Sequence, residues 1–217
     1  MEQAIGDLLP IVVAATAILM AITVHEFSHG FAAYLQGDMT ARDAGRLTLN
    51  PIAHIDPVGT ILIPGLLILS GSPFVVGWAK PVPFNPHHLK SGRFGAFLVG
   101  LAGPLSNFLL FIVAGLLLKV FFPIFPASNF LILFLVQVLV INLILGIFNL
   151  IPIPPLDGSK IFFNLLPVRF DRIAEYLDQW GPYILIILLV LENSFPIFSQ
   201  LIHFLLVTTG RILNLPL

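Results

Sequence analysis

This chain of 217 residues contains no cysteine and very little charge. Without cysteine it can form neither a disulfide nor a thiolate ligand, so any bound metal must be held by histidine, aspartate or glutamate. Only 10% of the residues are charged, the formal net charge is −1, and no basic cluster is present. A nucleic-acid partner is therefore not expected, because such partners require a basic surface.

Most of the chain is apolar. Hydrophobic residues make up 58% of the chain, and the mean hydropathy is +1.01. Because soluble domains are close to one quarter charged, this composition predicts an integral membrane protein surrounded by the lipid bilayer. The first apolar run follows no basic stretch, which argues against a removable signal peptide. We expect one membrane-embedded domain over residues 1–217, with no room for an additional soluble domain.

Three long apolar runs predict transmembrane helices. The first helix should begin between Asp7 and Pro10 and end near Gly37, and the others should cover residues 95–122 and 130–150. At 1.5 Å of rise per residue, each is long enough to cross the hydrocarbon core. The predicted fold class is an all-α polytopic membrane protein.

Three shorter elements accompany these helices. Residues 58–70 are too few to span comfortably and contain Pro64 and Gly65, which predicts a re-entrant or interfacial element. Residues 46–49 alternate polar and apolar side chains, which predicts a short interfacial strand or β-hairpin that could pair with an unwound peptide; a plain loop is the alternative. Two short apolar pieces within about 182–209 predict a C-terminal apolar hairpin.

Residues 25–29 read His-Glu-Phe-Ser-His at the end of the first apolar run. On a helix, His25 and His29 lie on one face and can bind one metal ion, and Glu26 can reach a water on that metal. A chain of this composition should show the pattern by chance roughly 0.003 times. The alternative is that both histidines are interfacial residues and Glu26 extends to the headgroups. That alternative leaves unexplained why three polar groups, whose burial in a membrane costs free energy, lie beside an apolar run.

The sequence Ile-Pro-Ile-Pro-Pro-Leu-Asp-Gly at residues 151–158 must break the helical chain at membrane depth, because three prolines prevent a regular helix. Asp157 lies in this break and is the only acidic residue between Asp56 and Asp171. It could cap the helix that follows, or it could supply the third ligand that a two-histidine site requires. We favour the metal ligand.

The distribution of positive charge predicts the topology. Basic residues are concentrated in three loops, at 36–57, 72–95 and 159–181. The positive-inside rule places these loops in the cytoplasm, which requires residues 58–70 to enter and leave the membrane on the same side. His29 and Asp157 would then meet near the cytoplasmic face of a multi-pass protein of the cell membrane.

Three motifs in this order resemble the site-2 protease family of intramembrane zinc metalloproteases. They are His25-Glu26-x-x-His29, Gly103-Pro104-x-x-Asn107, and the run from Asn149 through Pro152 and Pro154 to Asp157-Gly158. The resemblance covers most of residues 10–165, so we place the catalytic core at about 8–165. It is closest to small prokaryotic members, since the chain has no recognisable PDZ or CBS domain.

The resemblance implies that His25, His29 and Asp157 bind one Zn²⁺ per chain and that Glu26 is the catalytic base. It implies substrate binding by Asn149, and by Asn107 in a supporting position. The activity implied is hydrolysis of a peptide bond within or near the transmembrane segment of a membrane protein substrate, as in regulated intramembrane proteolysis. A regulatory membrane partner or a homo-oligomer is left open.

Two other classes of protein are alternatives to the protease. A zinc-binding membrane protein without protease activity, such as a transporter, would need polar ligands along the whole bilayer, and only one cluster is present; a substrate-holding protein that has lost its activity would not need the intact Glu26. A purely structural membrane protein would carry three motifs by coincidence. We therefore favour the protease.

Overall fold

The structure is a computed structural model that describes residues 2–71, 77–192 and 194–215, and every regular element in these ranges is helical. The α-helices are α1 (Glu2–Leu35), α2 (Thr40–Asp43), α3 (Ile63–Leu69), α4 (Gly92–Phe121), α5 (Phe130–Asn149), α6 (Asp157–Leu165), α7 (Asp171–Glu192) and α8 (Ile197–Leu213). Short 3₁₀-helices lie at Pro51–His54, Pro86–His88 and Val168–Phe170, and a π-helix at Pro57–Leu62 leads into α3.

Four helical segments of the described chain are long and apolar enough to cross a membrane: Leu8–Leu35, Gly92–Phe121, Phe130–Asn149 and Val168–Glu192. The first three correspond to the predicted transmembrane helices, which confirms a polytopic all-α protein. The fourth was predicted only in its apolar second half, because its first turns carry several charged residues. In the structure these polar turns continue without interruption into the apolar part of α7.

The predicted strand or hairpin at residues 46–49 is wrong. No strand lies in the described parts of the chain, and this stretch is an irregular loop. The Arg46 guanidinium donates to the carbonyl oxygen of Lys80 at 2.6 Å, and the His54 ring donates from Nε2 to the carbonyl oxygen of Thr48 at 2.8 Å. The His54 side chain therefore occupies a backbone acceptor, at Thr48, that a strand ladder over residues 46–49 would need.

One face of α1 is buried along most of the helix, and the residues on this face lie four apart in the sequence. The row consists of Val13, Ala17, Ala21, His25, His29 and Ala33, none of them more than 7% exposed. Small residues in such a row let membrane helices approach each other closely. Helices α4 and α5 pack on α1 and on each other, and an apolar cluster that includes Leu118 and Leu139 fills the space between them. The two histidines therefore face the interior of the bundle.

Two of the three loops predicted to share one side of the membrane contact each other. The N–H of Lys90 donates to the carbonyl oxygen of Gln36 at 3.1 Å, and the N–H of Asn85 donates to Asp38 at 2.6 Å. Burial alone would raise the pKa of Asp38, but hydrogen bonds from Thr40 and Asn85 outweigh it and lower that pKa. Asp38 therefore remains a buried carboxylate that joins the loop after α1 to the segment before α4.

The remaining apolar elements are short or lie at the C-terminal end. The segment Pro57–Leu69 is apolar and, at 13 residues, about 20 Å long, less than the hydrocarbon thickness, so a re-entrant position stays a prediction. Helices α7 and α8 form the C-terminal hairpin, and the Glu192 carboxylate accepts hydrogen bonds from the N–H groups of Phe198 and Ser199 at the start of α8. Asn193, which separates the two apolar pieces in the sequence, lies outside the described residues.

Candidate metal centre

Three predicted ligand atoms converge between α1 and the first residue of α6. The Nε2 atoms of His25 and His29 lie 3.0 Å apart, and Oδ2 of Asp157 lies 3.0 Å from each of them. All three residues are buried, at 7%, 7% and 5% exposure. The helical spacing of four places the two histidines on the buried row of α1, and the proline-rich break turns the chain so that α6 begins beside them.

The other ring nitrogen of each histidine faces an oxygen. Nδ1 of His29 lies 2.6 Å from the carbonyl oxygen of Val99, which can only accept a hydrogen bond. Nδ1 of His25 lies 2.6 Å from Oδ1 of Asn107, whose amide is oriented by donating from Nδ2 to Asn142 at 2.8 Å. Asn142 in turn donates to the carbonyl oxygen of Val138. Both Nδ1 atoms therefore carry a proton, so each ring, in its neutral form, has its lone pair at Nε2.

This donor set fits a bound cation. Two nitrogen lone pairs and a carboxylate oxygen at mutual distances of 3.0 Å repel one another. A proton shared among them could not satisfy all three contacts, whereas a metal ion can. Imidazole nitrogens and a carboxylate oxygen are established zinc ligands, and in a tetrahedral zinc site such ligands lie about 3.3 Å from each other. The observed triangle is close to that size.

Helix α4 reaches the site because glycine lies at its point of contact. A Cβ atom at Gly103 would lie 2.6 Å from Cε1 of both His25 and His29, a distance that real contacts do not show. One turn further along α4, Asn107 is fully buried and meets His25. The Gly-Pro-x-x-Asn motif thus combines close packing on the histidines with a hydrogen bond to one of them.

The Glu26 side chain is half-buried and contacts the segment before α4. Its Oε2 atom accepts a hydrogen bond from the N–H of Val82 at 2.8 Å. The same segment is held by the N–H of Lys80, which donates to the carbonyl oxygen of His54, and by Arg46. Glu26 is therefore hydrogen-bonded to the 77–83 segment rather than to the two imidazoles.

The two asparagines predicted to bind substrate lie in different surroundings. Asn107 contacts His25 and Asn142 deep in the bundle. Asn149 is half-buried at the end of α5 and donates from Nδ2 to the carbonyl oxygen of Leu145 in its own helix. The structure therefore brings Asn107 to the candidate metal centre. Among the described hydrogen bonds, the Asn149 side chain bonds only to its own helix, α5. Substrate binding by either residue stays a prediction.

Several groups at the site were not identified from the sequence. The ammonium of Lys160 lies 3.0 Å from Oδ1 of Asp157, and their separation of three residues on a helix was an available signal. The carbonyl oxygen of Val99 and the N–H of Val82 contribute through the backbone, which leaves no signature in residue type. Asn142, on α5, accepts a hydrogen bond from the amide of Asn107 on α4 and so joins the two helices beside the site.

Comparison with known proteins agrees with this geometry. Residues 123–191 match the model of Peptidase family M50. The chain is 37% identical to "Putative zinc metalloprotease YwhC" of Bacillus subtilis, over 80% of this chain and 78% of that protein. It is 31% identical to "Putative zinc metalloprotease Rip2" of Mycolicibacterium smegmatis, over 85% of this chain and 69% of that protein. No solved structure matches significantly.

The described residues form a polytopic helical bundle in which two imidazoles and a carboxylate converge, and the relatives that the chain matches are named zinc metalloproteases. The chain belongs to Peptidase family M50, the site-2 protease family that its motifs resemble. Its activity is therefore peptide-bond hydrolysis in the membrane, with zinc as cofactor.

Proposed function

We propose that His25, His29 and Asp157 hold the zinc ion and that Glu26 is the general base of the hydrolysis. The observation that carries this proposal is the triangle of Nε2, Nε2 and Oδ2 atoms at 3.0 Å, with both Nδ1 protons directed to oxygen acceptors. Zinc held in this way would lower the pKa of a bound water and polarise the scissile carbonyl group.

The chain's own residues would then move the proton. Glu26 follows His25 directly, so its carboxylate can accept a proton from the attacking water and deliver it to the nitrogen of the leaving amine. Because Val82 engages Oε2, the Oε1 atom is the one that we assign to this transfer.

We propose that the substrate is the transmembrane segment of a membrane protein and that it must unwind before cleavage, because a helical carbonyl group is already hydrogen-bonded and shielded. The chain between α5 and α6, residues 150–156, is not helical and lies directly before Asp157. Its backbone groups, with Asn149 beside them, are our candidates for holding the extended substrate. Asn107 would support the site by holding His25. Substrates rich in weak helix formers should be preferred.

We further propose that the site lies near the cytoplasmic face. His29 is six residues from the end of α1, which corresponds to about 9 Å. The loops at that end carry most of the basic residues, as the positive-inside rule expects of cytoplasmic loops. In this proposal residues 1–217 act as one membrane-embedded domain with its catalytic core at about 8–165, and a regulatory membrane partner or a second copy would control substrate entry.

The decisive experiment measures zinc content and cleavage on the same samples. Purified protein in detergent is incubated with a panel of single-span substrates, beside Glu26→Gln and Asp157→Ala variants. We expect the wild type to hold about one zinc per chain and to cleave, since a catalytic zinc site of this kind binds a single ion. Glu26→Gln should hold zinc without turnover, and Asp157→Ala should lose both zinc and turnover.

The controls separate the metal centre from the fold. Thermal unfolding of the metal-free variants should match that of the metal-free wild type. Turnover by Glu26→Gln would show that Glu26 is not the base, and full zinc content in Asp157→Ala would remove Asp157 from the ligand set.

A further inference from the structure

The two oxygen atoms of the Asp157 carboxylate face different partners. Oδ2 lies 3.0 Å from both imidazole Nε2 atoms, whereas Oδ1 lies 3.0 Å from Nζ of Lys160. We propose that Lys160 is a positioning residue of the metal centre, which holds Oδ1 so that Oδ2 alone is presented as a ligand. This inference rests on the proposed assignment of His25, His29 and Asp157 as the ligands.

The fold places Lys160 for this role. Asp157 is the first residue of α6, and Lys160 follows three residues later on the same face of the helix. Helix α4 packs on the base of the lysine side chain, since a Cβ at Gly100 would lie 3.1 Å from Cβ of Lys160. The start of the side chain is thus fixed by packing, while the side chain as a whole remains 41% exposed.

The charge of Lys160 bears on whether it acts on the metal centre. An ammonium group close to a divalent cation is repelled by it, so a lysine at this point would by itself weaken metal binding. The repulsion is offset if the lysine fixes the carboxylate. A carboxylate that turns freely can offer both oxygens to a metal, and the second oxygen would occupy the open position that a catalytic zinc site reserves for water. An ammonium on Oδ1 prevents that rotation.

A simpler interpretation is that Asp157 and Lys160 form an ordinary ion pair in the first turns of α6. Such a pair stabilises a short helix whether or not a metal is bound. The two interpretations differ in what removal of the lysine changes. Loss of a helix pair lowers the stability of the metal-free protein, whereas loss of a positioning residue changes the metal centre.

The experiment uses Co²⁺ as the probe, because the intensity of its visible absorption bands falls as its coordination number rises. Full-length protein in detergent is prepared as wild type, Lys160→Met, Lys160→Arg and Lys119→Met. The last is a matched control, with the same substitution at an exposed lysine in the final turn of α4. For each protein we measure the Co²⁺ spectrum, the Co²⁺ dissociation constant and the thermal unfolding of the metal-free form.

We expect Lys160→Met to weaken the Co²⁺ bands and to raise the dissociation constant about tenfold, the usual scale for groups that orient metal ligands. Lys160→Arg keeps the positive charge and should retain the wild-type spectrum, as should Lys119→Met. Metal-free Lys160→Met should unfold at the wild-type temperature.

Two results would overturn the inference. One is a wild-type spectrum and affinity in Lys160→Met; the other is an equal loss of stability in its metal-free and metal-loaded forms, which would identify a helix-stabilising pair. Failure of the wild type to bind Co²⁺ or Zn²⁺ is a different result, because it would contradict the proposed metal centre itself.

Discussion

Each imidazole of the metal centre offers its Nε2 atom because its Nδ1 atom is already engaged. The partners are an amide oxygen at Asn107 and a backbone carbonyl at Val99, and both contacts measure 2.6 Å. Such partners set the ring orientation and the tautomer of a metal-binding histidine. The affinity for metal should therefore depend on residues outside the His-Glu-x-x-His motif.

Replacing Asn107 by leucine tests this dependence at one residue. The substitution keeps the volume but leaves the Nδ1 proton of His25 and the amide oxygen of Asn142 without partners. We expect the zinc dissociation constant to rise about 10- to 100-fold and the unfolding free energy to fall by about 1–3 kcal/mol. Metal titration and thermal unfolding measure the two effects.

Asn142→Leu is the matched control, because it removes a bond to Asn107 but leaves Oδ1 of Asn107 free to accept from His25. It should lower stability with a smaller effect on zinc. Unchanged zinc affinity in Asn107→Leu would show that the ring of His25 needs no such partner.

Gly103→Ala tests the close approach of α4 to both imidazoles. The added Cβ would lie 2.6 Å from Cε1 of His25 and His29, so either the rings or the helix must move. Overpacking of this kind costs about 1–3 kcal/mol, and we expect a clear loss of bound zinc and of cleavage. Gly65→Ala in α3 is the control, since its Cβ meets open space and alanine favours a helix by up to about 1 kcal/mol. Normal zinc content in Gly103→Ala would contradict the packing argument.

At the scale of elements, α4 is the helix on which the site is assembled. Along its buried side, α4 supplies the carbonyl group of Val99, the space left by Gly103 and the amide of Asn107. It also holds α6 through Gly100, which lies against Lys160 and Ile161. None of these groups is a proposed ligand, yet together they position all three ligand side chains.

Arg93, at the start of α4, secures the far end of α6. Its guanidinium donates to the carbonyl oxygens of Phe163 and Leu166 at 2.6 and 2.9 Å, and to both oxygens of Asp171 at 2.8 Å. These bonds satisfy terminal carbonyl groups of α6 and join it to the first residue of α7. The position of Asp157, at the other end of α6, depends on this attachment.

Replacing Arg93 by methionine should therefore lower the melting temperature and weaken zinc binding together. The ion pair with Asp171 is more than one third exposed and contributes little, so most of the expected loss of about 1–3 kcal/mol comes from the two carbonyl groups. Arg42→Met is the control, because the ion pair of Arg42 with Asp43 is more than half exposed. Equal thermal stability of the two variants would show that Arg93 is an ordinary surface residue.

At the scale of the whole molecule, the proposed orientation in the membrane can be measured directly because the chain has no cysteine. Single cysteines at Arg42, Lys90 and Arg172 should react with a membrane-impermeant maleimide only from the cytoplasmic side, and one at Ser128 only from the opposite side. The first two positions lie in loops that are hydrogen-bonded to each other, so they must report the same side. Labelling of Lys90→Cys from outside intact cells would reverse the proposed topology.

The composition and the spacing of residues were enough to predict the membrane class and three of the spanning helices, and to propose a metal site of two histidines and one aspartate. Helical periodicity is local, so His25 and His29 could be placed on one face from the sequence alone. Asp157 was proposed as the third ligand because it is the only acidic residue between Asp56 and Asp171 and because a site with two histidines requires one more ligand.

Other features depended on contacts between distant parts of the chain. Alternation at residues 46–49 predicted a strand, but His54 donates to the carbonyl group of Thr48, which a ladder would use, and Arg46 donates to the distant carbonyl group of Lys80. Backbone partners such as the carbonyl of Val99 have no signature in the sequence, because every residue carries the same group. The sequence by itself determined which side chains could hold a metal. The tertiary structure decided which atoms they offer, because helix packing brings α4 close enough to engage Nδ1 of both rings and to leave Nε2 available.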